Sequence, residues 1–328
     1  MPTPTTTRMT ALLATMTALA ACTSHTGPTA PNGSSASATF WDSTNIPAAK
    51  NVMMIRFLNR TNGKYPDSLV FWRVNINGVT TTKSIAQQQY FDMPANNSGR
   101  VYVFLGRVGT TSTDYYDFFE YDIGGSPPQF NGNTTRVDAF GIKLALRLHN
   151  ANGDEETVGE NPATFAEDRA TTFQRFIAAV PSEFQSLAQQ NAPYRILNPG
   201  AGGFDTGGAH ANYYAAYIDS IWTENALTIP KAGPNGDGLG AYPDLSAAIY
   251  RHTAGPGTFN PNGTLISQSM WANPATFYLH APADYYAKFW HDNAINGKAY
   301  GFPYDDVGGY SSYISHQNPQ YMLVAIGW

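Results

Sequence analysis

A mixed α and β fold, rich in β, is predicted for this chain: a β-sandwich or barrel lobe, a smaller mixed α/β lobe, and an open cleft between them. Three patterns carry that expectation. Runs of alternating apolar and polar residues continue to about residue 150; apolar residues then recur at helical spacing; and a strand-like run returns near residue 328. The early strands read as Val52–Leu58, Leu69–Ile76, Arg100–Leu105, Asp117–Asp122, Thr135–Ala139 and Ile142–Leu148. In the second, Val70, Trp72, Val74 and Ile76 alternate with Arg73 and Asn75, and Asn77-Gly78 follows as a hairpin turn of the kind that needs positive φ. In the last, Ile142, Leu144, Leu146 and Leu148 are expected to face inward, with Lys143 and Arg147 facing out.

Helices follow. Thr164–Val180 places Phe165, Phe173, Phe176, Ile177 and Val180 at helical spacing before Pro181 stops it. Ala209–Asn225 sets Tyr214, Tyr217, Ile218, Ile221 and Trp222 on one face, with Asp205 or Thr206 as its N-cap. Strands are expected again at Ala247–His252, Thr264–Ser267 and Tyr321–Ile326, the last rejoining and closing the β-lobe. The β-lobe thus covers about 40–150 plus the C-terminal strand, and the mixed lobe about 151–315.

Composition narrows the function. Nineteen Lys and Arg against 24 Asp and Glu give a net charge of −5, without the basic surplus that nucleic acid demands. Charged residues make up 13%, about half of the ~25% usual in soluble proteins. Neutral hydrogen-bonding side chains and 20 tyrosines suit a neutral polymer whose hydroxyls need partners and whose flat faces stack on rings, although an exported surface has the same texture. Cys22, the single cysteine, follows the apolar stretch 9–21, which is too short to span a bilayer and reads as the core of a signal peptide over residues 1–21. The run Leu19-Ala20-Ala21-Cys22 resembles a bacterial lipobox, which implies lipidation of Cys22; an ordinary secretory signal with an incidental cysteine is the other reading. Residues 23–39, mostly Ser, Thr, Gly, Pro and Ala, make a flexible tether. An exported monomer is expected, in contact with a membrane only through that anchor. A single cysteine and scattered histidines offer no zinc-type ligand cluster, and no cofactor is expected.

Two acids stand out. Glu120 ends Asp117-Phe118-Phe119-Glu120, followed by Tyr121, and Asp138 lies in Thr135-Arg136-Val137-Asp138-Ala139-Phe140-Gly141. Burying a carboxylate among aromatics is costly unless it is paired or protonated. Two carboxylates facing one groove, one kept protonated, are the equipment of a glycoside hydrolase. An acid in a strand can equally face solvent or cap a turn.

The Phe-Phe-Glu-Tyr run, the block Gly132-Asn133-Thr134-Thr135-Arg136-Val137-Asp138-Ala139-Phe140-Gly141, and the stretch from Tyr286 through Trp290-His291 and Tyr304-Asp305-Asp306 to Tyr310 resemble glycoside hydrolase family 64, from about residue 40 to the end. The chain departs from the family at Tyr121-Asp122, where Phe-Thr is expected, and in the loop at 124–128. The resemblance implies a thaumatin-like fold and endo-acting, inverting hydrolysis of β-1,3-glucan of laminarin or curdlan type to short laminari-oligosaccharides. It makes Glu120 the general acid, held protonated by its phenylalanines, and Asp138 the general base, kept ionised by Arg136 or Asn133. Substrate contacts are expected from Asn133, Thr134, Trp290, His291, Tyr304, Asp305, Asp306 and Tyr310. Both acids should line the cleft. A non-catalytic thaumatin-like β-1,3-glucan-binding surface protein, or an adhesin for another polymer, are the competing readings.

Overall fold

Alternating burial along the strands sorts the β-residues of this computed structural model into two layers. It describes residues 39–233, 238–266 and 273–328. The expected signal peptide, Cys22 and the tether to residue 38 lie outside the described residues, as does Ser267. The strands in chain order are β1 (Met53–Arg60), β2 (Val70–Ile76), β3 (Val79–Ser84), β4 (Tyr90–Met93), β5 (Asn97–Leu105), β6 (Tyr115–Gly124), β7 (Gln129–Thr134), β8 (Ala139–Phe140), β9 (Leu144–Asn150), β10 (Glu155–Gly159), β11 (Ile196–Leu197), β12 (Tyr313–Gln317) and β13 (Pro319–Gly327). They form a five-stranded sheet, β10-β9-β13-β1-β4, and a six-stranded sheet, β12-β7-β6-β5-β2-β3; β8 pairs with β11 alone.

The sheets enclose one core. Ile55 and Phe57 of β1, Leu144, Leu146 and Leu148 of β9, and Val324 of β13 meet Trp72, Val103, Phe119 and Ile123. Phe57 lies flat on Trp72, centroids 5.2 Å apart, locking one sheet onto the other. Each such side chain contributes roughly 1.5–3 kcal/mol on burial. The C-terminal strand does rejoin the β-lobe: β13 runs parallel to β1, from Met54↔Tyr321 to Arg60↔Gly327, and antiparallel to β9. Asn77 and Gly78, with φ of 51° and 85°, form the expected hairpin between β2 and β3.

The second half packs helices α1 (Arg169–Ala179), α2 (Ala215–Glu224), α3 (Pro243–Arg251) and α4 (Tyr285–Asn293) around a separate core that includes Phe176, Ile221, Ile249, Tyr286 and Trp290. Several sequence expectations are corrected. Thr164–Val180 splits into a 3-10 turn (Pro162–Ala166) and α1, because Asp168 caps a new start by accepting from the Thr171 amide. The helix expected at Ala209–Asn225 begins at Ala215, and neither Asp205 nor Thr206 caps it; Gly207, at φ 86°, keeps the chain in turns. Ala247–His252 is not a strand but the end of α3, started by Pro243 and stopped by left-handed His252. Thr264–Ser267 reduces, within its described part, to a single bridge between Leu265 and Phe259. Thr135–Ala139 is a loop up to residue 138. Lys143 faces out of the sandwich yet is buried: its Nζ donates to the carbonyls of Glu167 and Trp328, and burial pushes it down to about 8. A third cluster, with Trp41, Phe165 and Leu323, covers that outer face. The outer face of the six-stranded sheet instead carries polar and aromatic side chains.

Candidate active site

Strand register builds the site. Arg100 on β5 pairs with Glu120 on β6, Glu120 with Asn133 on β7, and Asn133 with Tyr313 on β12. Residues paired across strands share a face, so these four stand in a row on the outer face of the six-stranded sheet. Phe118 shares that face, whereas Phe119 and Tyr121 point into the sandwich core. The apolar surroundings expected for Glu120 are therefore largely absent. Its side chain is 37% exposed, and its Oε1 accepts from Arg100 Nε at 3.0 Å while its Oε2 accepts from Asn133 Nδ2 at 3.4 Å.

Asp138 comes from the loop after β7 and is 57% exposed; its Oδ2 accepts from Arg100 Nη1 at 3.3 Å. The cation beside it is thus Arg100, not Arg136, and the Asn133 amide serves Glu120. Partial burial works against the Arg100 charge, but a hydrogen bond with Tyr102 and the two carboxylates hold its guanidinium above the ordinary value. The ring of Phe118 lies under it, 4.0 Å away.

Arg136 is turned inward and fixes the loop. It is buried between Asp117, at 2.7 Å, and Glu160, at 2.6 Å, and also donates to the carbonyls of Thr135 and Ile142. Burial alone would lower its proton affinity; Asp117 and Glu160 outweigh that and raise it. Asp117 further accepts from the amides of Gly141 and Ile142. Gly141 is required there, since a Cβ would stand 1.8 Å from the Tyr116 carbonyl oxygen. From the second half, Asn198 donates to the Val137 carbonyl and Tyr286 to that of Arg136, each within 2.7 Å, and the Arg136 amide donates to the Tyr300 carbonyl. Both halves of the fold therefore position Asp138.

The other expected contacts divide. Thr134 is buried and faces the opposite way from Asn133. Trp290 is core, stacked on Phe140 with centroids 4.6 Å apart. Asp305 is fully buried, paired with Arg251 at 3.0 Å and with His291 Nε2 at 2.9 Å; burial disfavours the His291 cation, but Asp305 outweighs it and raises its affinity for a proton. Tyr310 packs edge-on against Phe277. These four serve the helical core rather than the Glu120 row. Asp306 is exposed and Tyr304 half-buried, and both act electrostatically on Tyr300, as does Glu120. Burial, then the negative charges of Asp306, Glu120 and Asp305, push Tyr300 up to about 12.

Arg100, Tyr300 and Tyr313 are the site residues that sequence reasoning missed. A pairing of 97–105 with 115–124 could have found Arg100, but the sequence does not fix that register. Among the described residues no group of three or more His, Cys, Asp or Glu is placed to hold a metal, and no helix is long and apolar enough to cross a membrane. A cavity of about 1040 Å³ lies away from the row, lined by Tyr115, Arg169, Phe173 and Trp328 among others.

The chain is similar to known proteins in sequence and in fold. The chain resembles two curated glucan endo-1,3-β-glucosidases. It is 25% identical over 234 residues to one from Arthrobacter sp. (strain YCWD3), covering 57% of this chain and 41% of that protein. It is 43% identical over 76 residues to one from Cellulosimicrobium cellulans, covering 23% and 12%. The chain thus spans less than half the length of either relative. Among solved structures, a family 64 laminaripentaose-producing β-1,3-glucanase from Paenibacillus barengoltzii matches with TM-score 0.70 and 28% identity, over 87% of this chain and 77% of that one. The same enzyme has also been solved with laminarihexaose. A β-1,3-glucanase domain from Clostridium beijerinckii, 22% identical, shares the fold at TM-score 0.71 over 86% of this chain and all of that one. The family model described as β-1,3-glucanase matches residues 110–240 and 230–326, two thirds of the sequence that include Glu120, Asp138 and the buried Arg136 cluster, and the chain belongs to glycoside hydrolase family 64.

Proposed function

We propose that the protein is an endo-acting β-1,3-glucanase that cleaves laminarin- or curdlan-type chains to short laminari-oligosaccharides with inversion. The observation that carries this reading is the pair Glu120 and Asp138 on either side of one guanidinium, on an open sheet face inside the family-matched region. Glu120 would protonate the glycosidic oxygen as the bond to the anomeric carbon breaks. Asp138 would take a proton from the water that attacks the same carbon from the opposite side. Carboxylate oxygens 3.0 and 3.3 Å from one guanidinium stand at most about 9 Å apart, given a guanidinium width of about 2.3 Å. That bound admits the ~6.5–9.5 Å gap of inverting hydrolases and equally the ~5–5.5 Å gap of retaining ones, so the stereochemistry rests on the product anomer. Asn133 and exposed Tyr313 continue the row as a hydrogen-bonding side chain and a ring for sugar.

One observation favours the non-catalytic glucan binder: both carboxylates are already paired with Arg100, as in an ordinary surface ion-pair network. Release of reducing sugar from curdlan separates the two readings. Proton NMR of the first product should show the α-anomer; a β-anomer would mean retention and make Asp138 a nucleophile. Export on a lipid anchor at Cys22 belongs to the same proposal and is motivated by Leu19-Ala20-Ala21-Cys22. Cys22→Ala should release the protein from bacterial membranes. A mature N-terminus beyond residue 22, found by mass spectrometry, would remove the anchor.

A further inference from the structure

Arg100 occupies the gap between the two proposed catalytic carboxylates. Its Nε donates to Glu120 at 3.0 Å, its Nη1 to Asp138 at 3.3 Å, and its plane rests on the Phe118 ring. These contacts conflict with turnover if they persist. A leaving oxygen must come within about 2.6–3.2 Å of its acid, and Arg100 and Asn133 already take an acceptor position on each Glu120 oxygen, for which sugar must compete.

Resting on the assignment of Glu120 as acid and Asp138 as base, we propose that Arg100 is a positioning residue that bridges both carboxylates in the free protein and gives up Glu120, while keeping Asp138, when glucan enters. Three features support such a movement. The Arg100 side chain is 40% exposed and its contact with Glu120 is open to water, so exchanging that contact for sugar costs little. The ring of Phe118 supports the guanidinium independently of Glu120. Asp138 is held by a loop pinned from both halves of the fold and can stay with Arg100. The titratable and charged groups facing Glu120 are Arg100 from β5, Asp138 from the loop after β7 and Tyr300 from the C-terminal half, with Asp122 two residues along its own strand and Asp306 beyond Tyr300. Arg100 is the cation that touches it.

The consequence is a split between KM and kcat. On soluble laminari-oligosaccharides, Arg100→Met should lower kcat by about 10-fold or more, because Asp138 loses its partner in the complex, and should lower KM as well, because sugar no longer has to displace Arg100 from Glu120. Arg100→Lys, which keeps the charge, should restore much of kcat. A merely structural arginine would lower the folded fraction and leave KM in place. An unchanged kcat, or an unchanged KM, in a folded Arg100→Met would overturn the role of Arg100 while hydrolysis stands. Absence of hydrolysis by the wild type would overturn the underlying enzyme assignment, and with it this proposal.

Discussion

Arg136 and Arg100 each sit between two carboxylates: Arg136 between Asp117 and Glu160, Arg100 between Glu120 and Asp138. Asp117 and Glu120 are three residues apart on the same strand, and Arg136 and Asp138 two apart in the same loop. What differs is water. The Arg136 cluster is almost wholly buried and satisfied by backbone amides and carbonyls as well as by charge. The Arg100 cluster is open, with few other partners. A buried cluster of this kind is strongly destabilised when one member is removed, because the others are left buried and uncompensated. An exposed one contributes about 0–1 kcal/mol and is free to exchange partners. The first holds a loop still, and the second is free to meet a ligand.

The sharpest way to break this contrast is at the open cluster. Glu120→Gln and Asp138→Asn should each lower turnover by about 10²–10⁴-fold, with thermal unfolding nearly unchanged. Azide should restore turnover to Asp138→Ala by replacing the activated water, giving an α-glycosyl azide. If both carboxamide variants kept wild-type rates, exposed Asp306 would be the next acid to test; Asp305 is fully buried and engaged with Arg251 and His291. At the buried cluster the effect should move from rate to stability. Arg136→Met should cost about 3–5 kcal/mol in denaturant unfolding, and Arg100→Met no more than about 1 kcal/mol. Equal losses at the two arginines would erase the distinction.

A buried acid in the helical core extends the contrast to pH. Burial, reinforced by Asp305, pushes Asp284 up to about 7, although it accepts from the Ala287 amide. The folded chain therefore binds this proton more tightly than the unfolded chain does. Its contribution is fully present at acid pH, falls as pH rises from about 4 towards 7, and is constant above that. Asp284→Asn should remove that part of the slope from a plot of stability against pH, and an unaltered slope would show that Asp284 is not its source.

Much of the sandwich was legible because alternation is a local signal: Ile142, Leu144, Leu146 and Leu148 all face the core, and Tyr321–Ile326 does rejoin the sheet. The helix at Pro243 was misread because Ser246-Ala247-Ala248-Ile249-Tyr250 fits either structure over so short a run, and the decisive proline lies upstream. The site was half legible. The sequence pointed to Glu120 and Asp138, which meet at Arg100, but not to their environment. Counting Phe119 and Tyr121 as neighbours of Glu120 ignored the pleat, which sends them to the other face. Asp117, the acid that is buried among apolar strands, was passed over, and its partner Arg136 was credited to Asp138. Pairing of charges 20 and 38 residues apart depends on register and loop course, which no short window contains.

The place of β13 has a consequence in time rather than in space. It lies between β1 and β9, and its first pairing with β1 joins Met54 to Tyr321, across most of the polypeptide. Until that late segment arrives, β1 and β9 each present an unpaired edge and the apolar face beneath them stays open. Contacts this distant in sequence close slowly, and open strand edges invite association with other chains while they wait. Refolding from denaturant should accordingly be slow and sensitive to protein concentration, with the edges of β1 and β9 the last backbone amides to gain protection from exchange.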